Sequence, residues 1–282
     1  MKSIKGIYFG PAGVPHSAKK KDTVNGIQRI VELNLNAMEL EFVYGVKLNE
    51  DQAIKANEIA KSNGVVLTAH APYYINLNGK DEAKLKNSIR FIVESARALH
   101  LAGGYSVCFH PGWYQKMPKD ESFLRVKNSL KLAMGEIKEA GYDVWIRPET
   151  MEMESKFGSL EEVIKLSQEI EGVLPCVDFA HLRYRNHWNT KAKFKATMEK
   201  LEKSLGKDII KNMHVHISGI KLDKAGTHVN LSESDLKWKD ILKVIKEFNV
   251  EGVIICESPN LEEDALLLKN YYESLEEVSM KA

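Results

Sequence analysis

Cysteine is scarce in this chain: Cys108, Cys176 and Cys256 are widely separated, with no CxxC pair. That argues against a disulfide framework. All three fall inside expected strands, where a small apolar thiol packs as core. A reducing, cytoplasmic location is therefore the expectation. Long apolar runs are missing too. No stretch approaches membrane-spanning length, and residues 1–10 lack the apolar centre of a secretory signal, so no membrane partner is expected. An excess of one charge is also absent. The 40 Lys and Arg offset 39 Asp and Glu to leave a net +1, so any polyanionic partner must be met by local positive charge. No Pro/Gly/Ser-rich linker divides the chain. What remains is an ordinary globular mixture, 44% hydrophobic, enough to bury one sizeable core.

Hydrophobic patterning alternates between short apolar runs and helical spacing along the whole length. A strand over 4–10 precedes a helix over 23–34, in which Ile27, Ile30, Val31 and Leu33 share a face. Strand 38–43 and helix 51–62 follow, closed by Gly64; then strand 65–70 and helix 81–101, ended by a Gly-Gly pair. Strand 105–110 leads to helix 121–140, and strand 144–149 to helix 159–170, which opens on a capping box at Ser159. The last units are strand 174–181 with helix 191–205, strand 212–218 with helix 238–248, and strand 252–257 with helix 261–275. Eight such units predict an α/β chain folded as a single (β/α)8 TIM barrel over residues 1–282, because right-handed crossovers set each parallel strand beside the next. Two connections after strands, 11–22 and 219–237, are long enough to suggest function.

Metal-competent side chains gather at the C-terminal ends of these strands, where barrel enzymes build their sites. His70 ends the third, His110 the fourth and Glu149 the fifth; Asp178 and His181 end the sixth; His214 and His216 lie in the seventh; Glu257 ends the eighth; and His228 sits in the long loop after the seventh. One such residue alone is ordinarily a hydrogen-bonded surface group. Six successive strands delivering them to one rim would crowd unpaired carboxylates together, a repulsion that cations relieve. Imidazole and carboxylate without thiolate suit Zn2+, with Mn2+ as an alternative. About eight candidate ligands imply two or three ions, an arrangement suited to phosphodiester hydrolysis.

The motifs carrying these residues resemble those of the endonuclease IV family. The segment His70-Ala-Pro-Tyr-Tyr-Ile-Asn-Leu77 is similar to its His-x-x-Tyr-x-Ile-Asn-Leu motif. His110-Pro-Gly, Glu149-Thr, Asp178-x-x-His181, His216 and Glu257-Ser follow in the same order, one motif per strand, over most of the chain. The resemblance implies a zinc-dependent hydrolase that cuts double-stranded DNA 5′ to an abasic site, working as a monomer. Carried over by position, His70, His110 and Glu149 would hold one ion. Glu149 would bridge to a second ion on Asp178, His216 and Glu257, and His181 and His228 would hold a third. Glu149 and Glu257 would be the catalytic carboxylates and His214 a supporting group. Tyr73, with Tyr74 beside it, would fill the gap left by a flipped nucleotide. One position departs: the family's Asp-x-His in the strand-seven loop reads Gly226-Thr-His228 here, which leaves Asp223 or water to stand in for the missing carboxylate.

Lys19, Lys20 and Lys21 in the first long loop, and Arg183 and Arg185 after His181, are candidates for DNA phosphates. Trp113, Tyr114 and Trp188 are candidates for packing on the duplex. The alternative reading is a metal-dependent sugar isomerase or epimerase of the xylose isomerase-like superfamily, with Glu149 and Glu257 transferring protons. A third is a binding module without activity. His110, His181 and His228 exceed what one Mn2+ site needs and favour the nuclease.

Overall fold

The structure, a computed structural model, describes residues 3–280. Parallel strands alternate with helices in the order β1 Ile7–Pro11, α1 Thr23–Glu32, β2 Ala37–Glu41, α2 Glu50–Ser62, β3 Val66–His70, α3 Glu82–Leu101, β4 Ser106–Phe109, α4 Lys119–Glu139, β5 Trp145–Pro148, α5 Leu160–Glu169, β6 Val177–Asp178, α6 Phe179–Asn186, α7 Lys191–Leu205, β7 Met213–Ile217, α8 Trp238–Glu247, β8 Gly252–Cys256 and α9 Glu262–Met280. Local chemistry sets several of the helix starts. Asn49 with Gln52, and Ser159 with Glu162, form reciprocal capping boxes, and Asp22 accepts the Asn25 N–H at the start of α1.

Two parallel four-stranded ladders, β1-β8-β7-β6 and β2-β3-β4-β5, close into a barrel through narrower seams. At the first seam Ala12 bridges Glu39, and the Gly13 and Asn36 N–H groups donate to Glu39 and Phe9 carbonyls. Gly10 permits this approach: a Cβ there would lie 1.7 Å from the Ala37 carbonyl oxygen. At the second seam Ile146 bridges Val173 and Glu149 bridges Cys176.

The strand alternation separates two cores. One large apolar cluster joins the outward side chains, such as Met38, Leu40, Val107, Ile146, Val215 and Ile254, to the inner faces of the helices. A small plug of Ala37, Tyr105, Val253 and Ile255 fills the bottom of the barrel. Above it the interior turns polar, with Glu39, Thr68, Ser106, Arg147 and His214 all fully buried. That polarity is what positions the site.

One expected element needs correction. The sixth strand, expected over 174–181, is ordered as a ladder only at Val177–Asp178, and α6 begins immediately after it. Asp178 causes the change, because its side chain accepts the His181 N–H at 2.6 Å and caps the helix. Its own N–H is taken by Thr150 Oγ1 at 2.9 Å, away from the ladder. His181 therefore sits on the first turn of a helix and not at a strand end.

Candidate metal centre

Cross-barrel hydrogen bonds orient the deepest site residues. Glu39 accepts from Thr68 Oγ1 at 2.7 Å, and its two oxygens lie 3.0 Å from His214 Nε2 and 3.0 Å from His216 Nε2. His214 Nδ1 is 2.8 Å from Ser106 Oγ, so both ring nitrogens are engaged below the rim. With Nε2 of His216 turned down to Glu39, Nδ1 faces Glu149 at 3.2 Å and Glu257 at 3.4 Å. The two β7 histidines thus share a face but divide the work, His216 reaching the rim carboxylates and His214 the layer beneath.

Glu149 is the hub. It is fully buried, and four imidazoles approach its carboxylate: His70 at 3.4 Å, His110 at 3.1 Å, His181 at 3.2 Å and His216 at 3.2 Å. Cys108 Sγ lies 3.5 Å below it. Burial works against the Glu149 charge, but His216, His110 and His181 outweigh it and hold the carboxyl well below the usual range. Burial likewise opposes charge on His70 and His181. Glu149 and Glu41 outweigh it at His70, Asp178 and Glu149 at His181, and both imidazoles rise to about 10. Burial lowers His110 and His228. It raises Asp178 well above its ordinary value and lifts Glu41 to about 8.

Two features test whether these residues fit divalent cations. His70 Nδ1 is 2.7 Å from the Ala71 carbonyl and His181 Nδ1 is 2.9 Å from the Thr150 carbonyl. Donation there turns each Nε2 inward, the arrangement that supports metal-binding histidines once that nitrogen has given up its proton. His181 Nε2 then faces His228 Nε2 at 2.9 Å, while Ser218 Oγ holds His228 Nδ1 at 2.8 Å. In addition, Glu41 Oε1, Asp178 Oδ2 and Glu257 Oε2 are buried without a hydrogen-bond partner among the described residues. Orphaned carboxylate oxygens crowded among inward-facing imidazole nitrogens are costly unless a cation lies between them. Ligand atoms of Glu149, Asp178, His216 and Glu257 all lie within 4.8 Å of one another, and so do those of Asp178, His181 and His228. His70 groups with Glu149 and Cys108 in the same way. The donor set fits divalent metal.

The expected rim residues therefore come together, His228 being carried in by the short antiparallel pairing of Gly219–Ile220 with His228–Val229. Of these, His110, His181, His228 and Glu257 line a cleft of about 630 Å3, together with Glu41, Tyr73, Glu152, Lys156 and Gly226. Tyr73 is half exposed at its edge, stacked on His110 with ring centroids 5.3 Å apart, and Tyr74 is exposed beside Tyr44.

The basic residues divide differently. Lys19 and Lys20 are exposed, with Lys20 beside a separate cleft. Lys21 Nζ caps the Pro15 and His16 carbonyls. Arg183 is buried against Asp235, and Arg185 donates to the carbonyls of Met151, Met153 and Lys156, so neither guanidinium faces the cleft mouth unpaired. Trp113 is exposed, but Tyr114 is buried on Glu162, and Trp188 packs on Phe194.

Sequence reasoning missed Glu39, Glu41 and Glu152. The signal for the first two was the Met38-Glu-Leu-Glu alternation in β2, whose acidic face reads as solvent until the barrel closes around it. Glu152 follows Glu149 by three residues in a loop and belongs to no strand pattern.

Among known proteins, a 42% identical relative is an uncharacterized protein of Methanocaldococcus jannaschii, matched over 95% of this chain and 98% of its own length. A probable endonuclease 4 of Mycoplasma pneumoniae is 24% identical over 76% of this chain and 75% of its length. Among solved structures, a D-tagatose 3-epimerase-like protein superposes with a TM-score of 0.75 at 21% identity, covering 97% of this chain and 99% of that one. Endonuclease IV from Thermus thermophilus gives 0.72 at 17% identity, covering 95% and 99%. These two likenesses establish the fold and are too even to separate the activities. A family model described as xylose isomerase-like TIM barrel matches residues 27–277, and the chain belongs to that family.

Proposed function

We propose that this chain is a metal-dependent phosphodiesterase that incises double-stranded DNA 5′ to abasic sites, with two or three zinc ions held at the barrel mouth and Mn2+ as a substitute. The observation that carries the reading is the Glu149 hub, one buried carboxylate met by four imidazoles. A single ion needs only the Glu149, Asp178, His216 and Glu257 group; His70, His110, His181 and His228 provide for more.

In this reading His70, His110 and Glu149 would hold one ion, Asp178, His216 and Glu257 a second to which Glu149 would also contribute, and His181 and His228 a third. Bound ions would supply a hydroxide at neutral pH and neutralise charge on the attacked phosphate and leaving oxygen. The chain's own contribution is placement. The carbonyls of Ala71 and Thr150 fix the tautomers of His70 and His181, and Glu39 fixes that of His216. Tyr73, pinned against His110, presents an exposed ring at the cleft edge for the gap beside a flipped nucleotide, with Tyr74 next to it. Phosphate contacts fall to the exposed Lys19 and Lys20, since Arg183 and Arg185 are engaged within the chain.

The second reading, a sugar epimerase, draws on the same four-residue group, where Glu149 and Glu257 flank one candidate ion site from different strands. A duplex carrying an abasic analogue separates the two. Chelator-sensitive nicking that leaves a 3′-hydroxyl and weakens with added salt is expected. No nicking at saturating Zn2+ or Mn2+, together with turnover of a ketose, would hand the site to the epimerase.

A further inference from the structure

The three cysteines do not share one environment. Cys256 packs in the large apolar cluster, as a small thiol in a strand should. Cys108 and Cys176 are just as fully buried, yet among the described residues they join neither apolar cluster. Strand alternation explains the difference. Phe109 and Val177 take the outward positions and pack toward the helices, which turns Cys108 with His110, and Cys176 with Asp178, to the barrel interior. Each thiol precedes a rim residue by two positions and lies one layer beneath it.

That layer is polar. Cys108 Sγ is 3.5 Å from Glu149 Oε2, and the two thiols hydrogen-bond to each other. Cys176 is tied to Glu149 by the backbone bridge at the second seam. Both sulfurs and a ring nitrogen of His216 lie within 4.8 Å of one another, and both cysteines are free. Two sulfurs sharing an ion at about 2.3 Å each stand roughly 3.8 Å apart in tetrahedral geometry and roughly 4.6 Å apart in linear geometry. The observed spacing admits either. Thiolate sulfur selects soft cations, whereas the carboxylates and imidazoles of the rim suit harder ones.

We propose that Cys108, Cys176 and His216 form a separate metal site beneath the rim, which takes a soft, thiophilic cation such as Cu+ or Cd2+. Sulfur supplies two of its three donors, which sets it apart from every group at the rim. His216 belongs to the rim group as well, so an ion held by the sulfurs competes for that imidazole. The site stands whether the rim serves a nuclease or an epimerase, because no substrate enters the argument. Its test reads metal and sulfur alone.

Reduced protein, stripped with a chelator and kept under argon, is titrated with Cd2+ while the ultraviolet thiolate-to-cadmium charge-transfer band is followed. Wild type and Cys256→Ser should both develop the band. Cys176→Ser should weaken the binding that produces it at least about tenfold, and Cys108→Ser combined with Cys176→Ser should abolish it. Three results would overturn the site: no band in wild type, a band that survives the double variant, or a band lost in folded Cys256→Ser. Zn2+ uptake by a wild type that shows no cadmium band would leave the rim reading standing and remove this one alone. If the double variant fails to fold, cadmium NMR of wild type decides. A resonance in the sulfur-ligated range supports the site, and one in the range of oxygen and nitrogen ligands alone overturns it.

Discussion

Metal loading should be coupled to proton release, and the structure sets the scale. His70 and His181 rise to about 10 in the metal-free protein. Each points Nδ1 at a backbone carbonyl, so the proton to be displaced is the one on the inward Nε2. At pH 7 that is roughly three units below the folded value, or about 4 kcal/mol per imidazole to be recovered from the metal. Because both lean on the one Glu149 carboxylate, the two contributions should not add in full. Each displaced proton makes apparent affinity rise about tenfold per pH unit between 7 and 9. The same raised values fix the sign of the stability profile. Their stabilisation is complete below the ordinary 6.5 and fades as pH climbs through about 10, so the metal-free protein should lose Tm over that window. Calorimetric Zn2+ titrations in buffers of different ionisation enthalpy would count the protons. Affinity flat from pH 7 to 9 with no proton release would refute the placement of these two histidines as ligands.

Glu149→Gln should collapse kcat for abasic-DNA incision while affinity for that DNA changes far less, whereas Tyr73→Ala should act mainly on KM; steady-state constants for both variants decide this, and near-normal turnover of Glu149→Gln with metal intact would remove its bridging role. Gly10→Ala forces a methyl against the Ala37 carbonyl at the β1–β2 seam, so it should cost about 3 kcal/mol by urea unfolding. Asp223→Ala removes the acceptor for the N–H groups that shape the 223–227 turn; faster proteolytic cleavage there, with Zn2+ stoichiometry preserved, is expected.

The barrel and most of its rim could be read from sequence because each rests on a local rule. Strand-then-helix periodicity placed all eight strands within a few residues. Most of the ligand types appear at strand ends, where alternate side chains such as His214 and His216 return to the same face. What escaped is set by closure. Glu39 and Glu41 resemble an outward polar face, since Met38 and Leu40 supply the apolar face that a surface strand would turn to its core. Only when β1 meets β2 across Gly10 do the acids become interior. Arg183 and Arg185 looked free for phosphates because their partners, Asp235 and the carbonyls of the loop after β5, are distant in sequence. α6 was hidden because one residue, Asp178, serves both as strand end and as helix cap.

That double use of Asp178 ties local order to occupancy. One oxygen of the carboxylate secures the first turn of α6, and the other is buried in the donor cluster. Neutralising or withdrawing the side chain loosens the helix start, and a cation on the free oxygen keeps the carboxylate ionised and in place. Amide exchange at the α6 N-terminus should therefore slow when the centre fills, making those few backbone protons a built-in gauge of its loading.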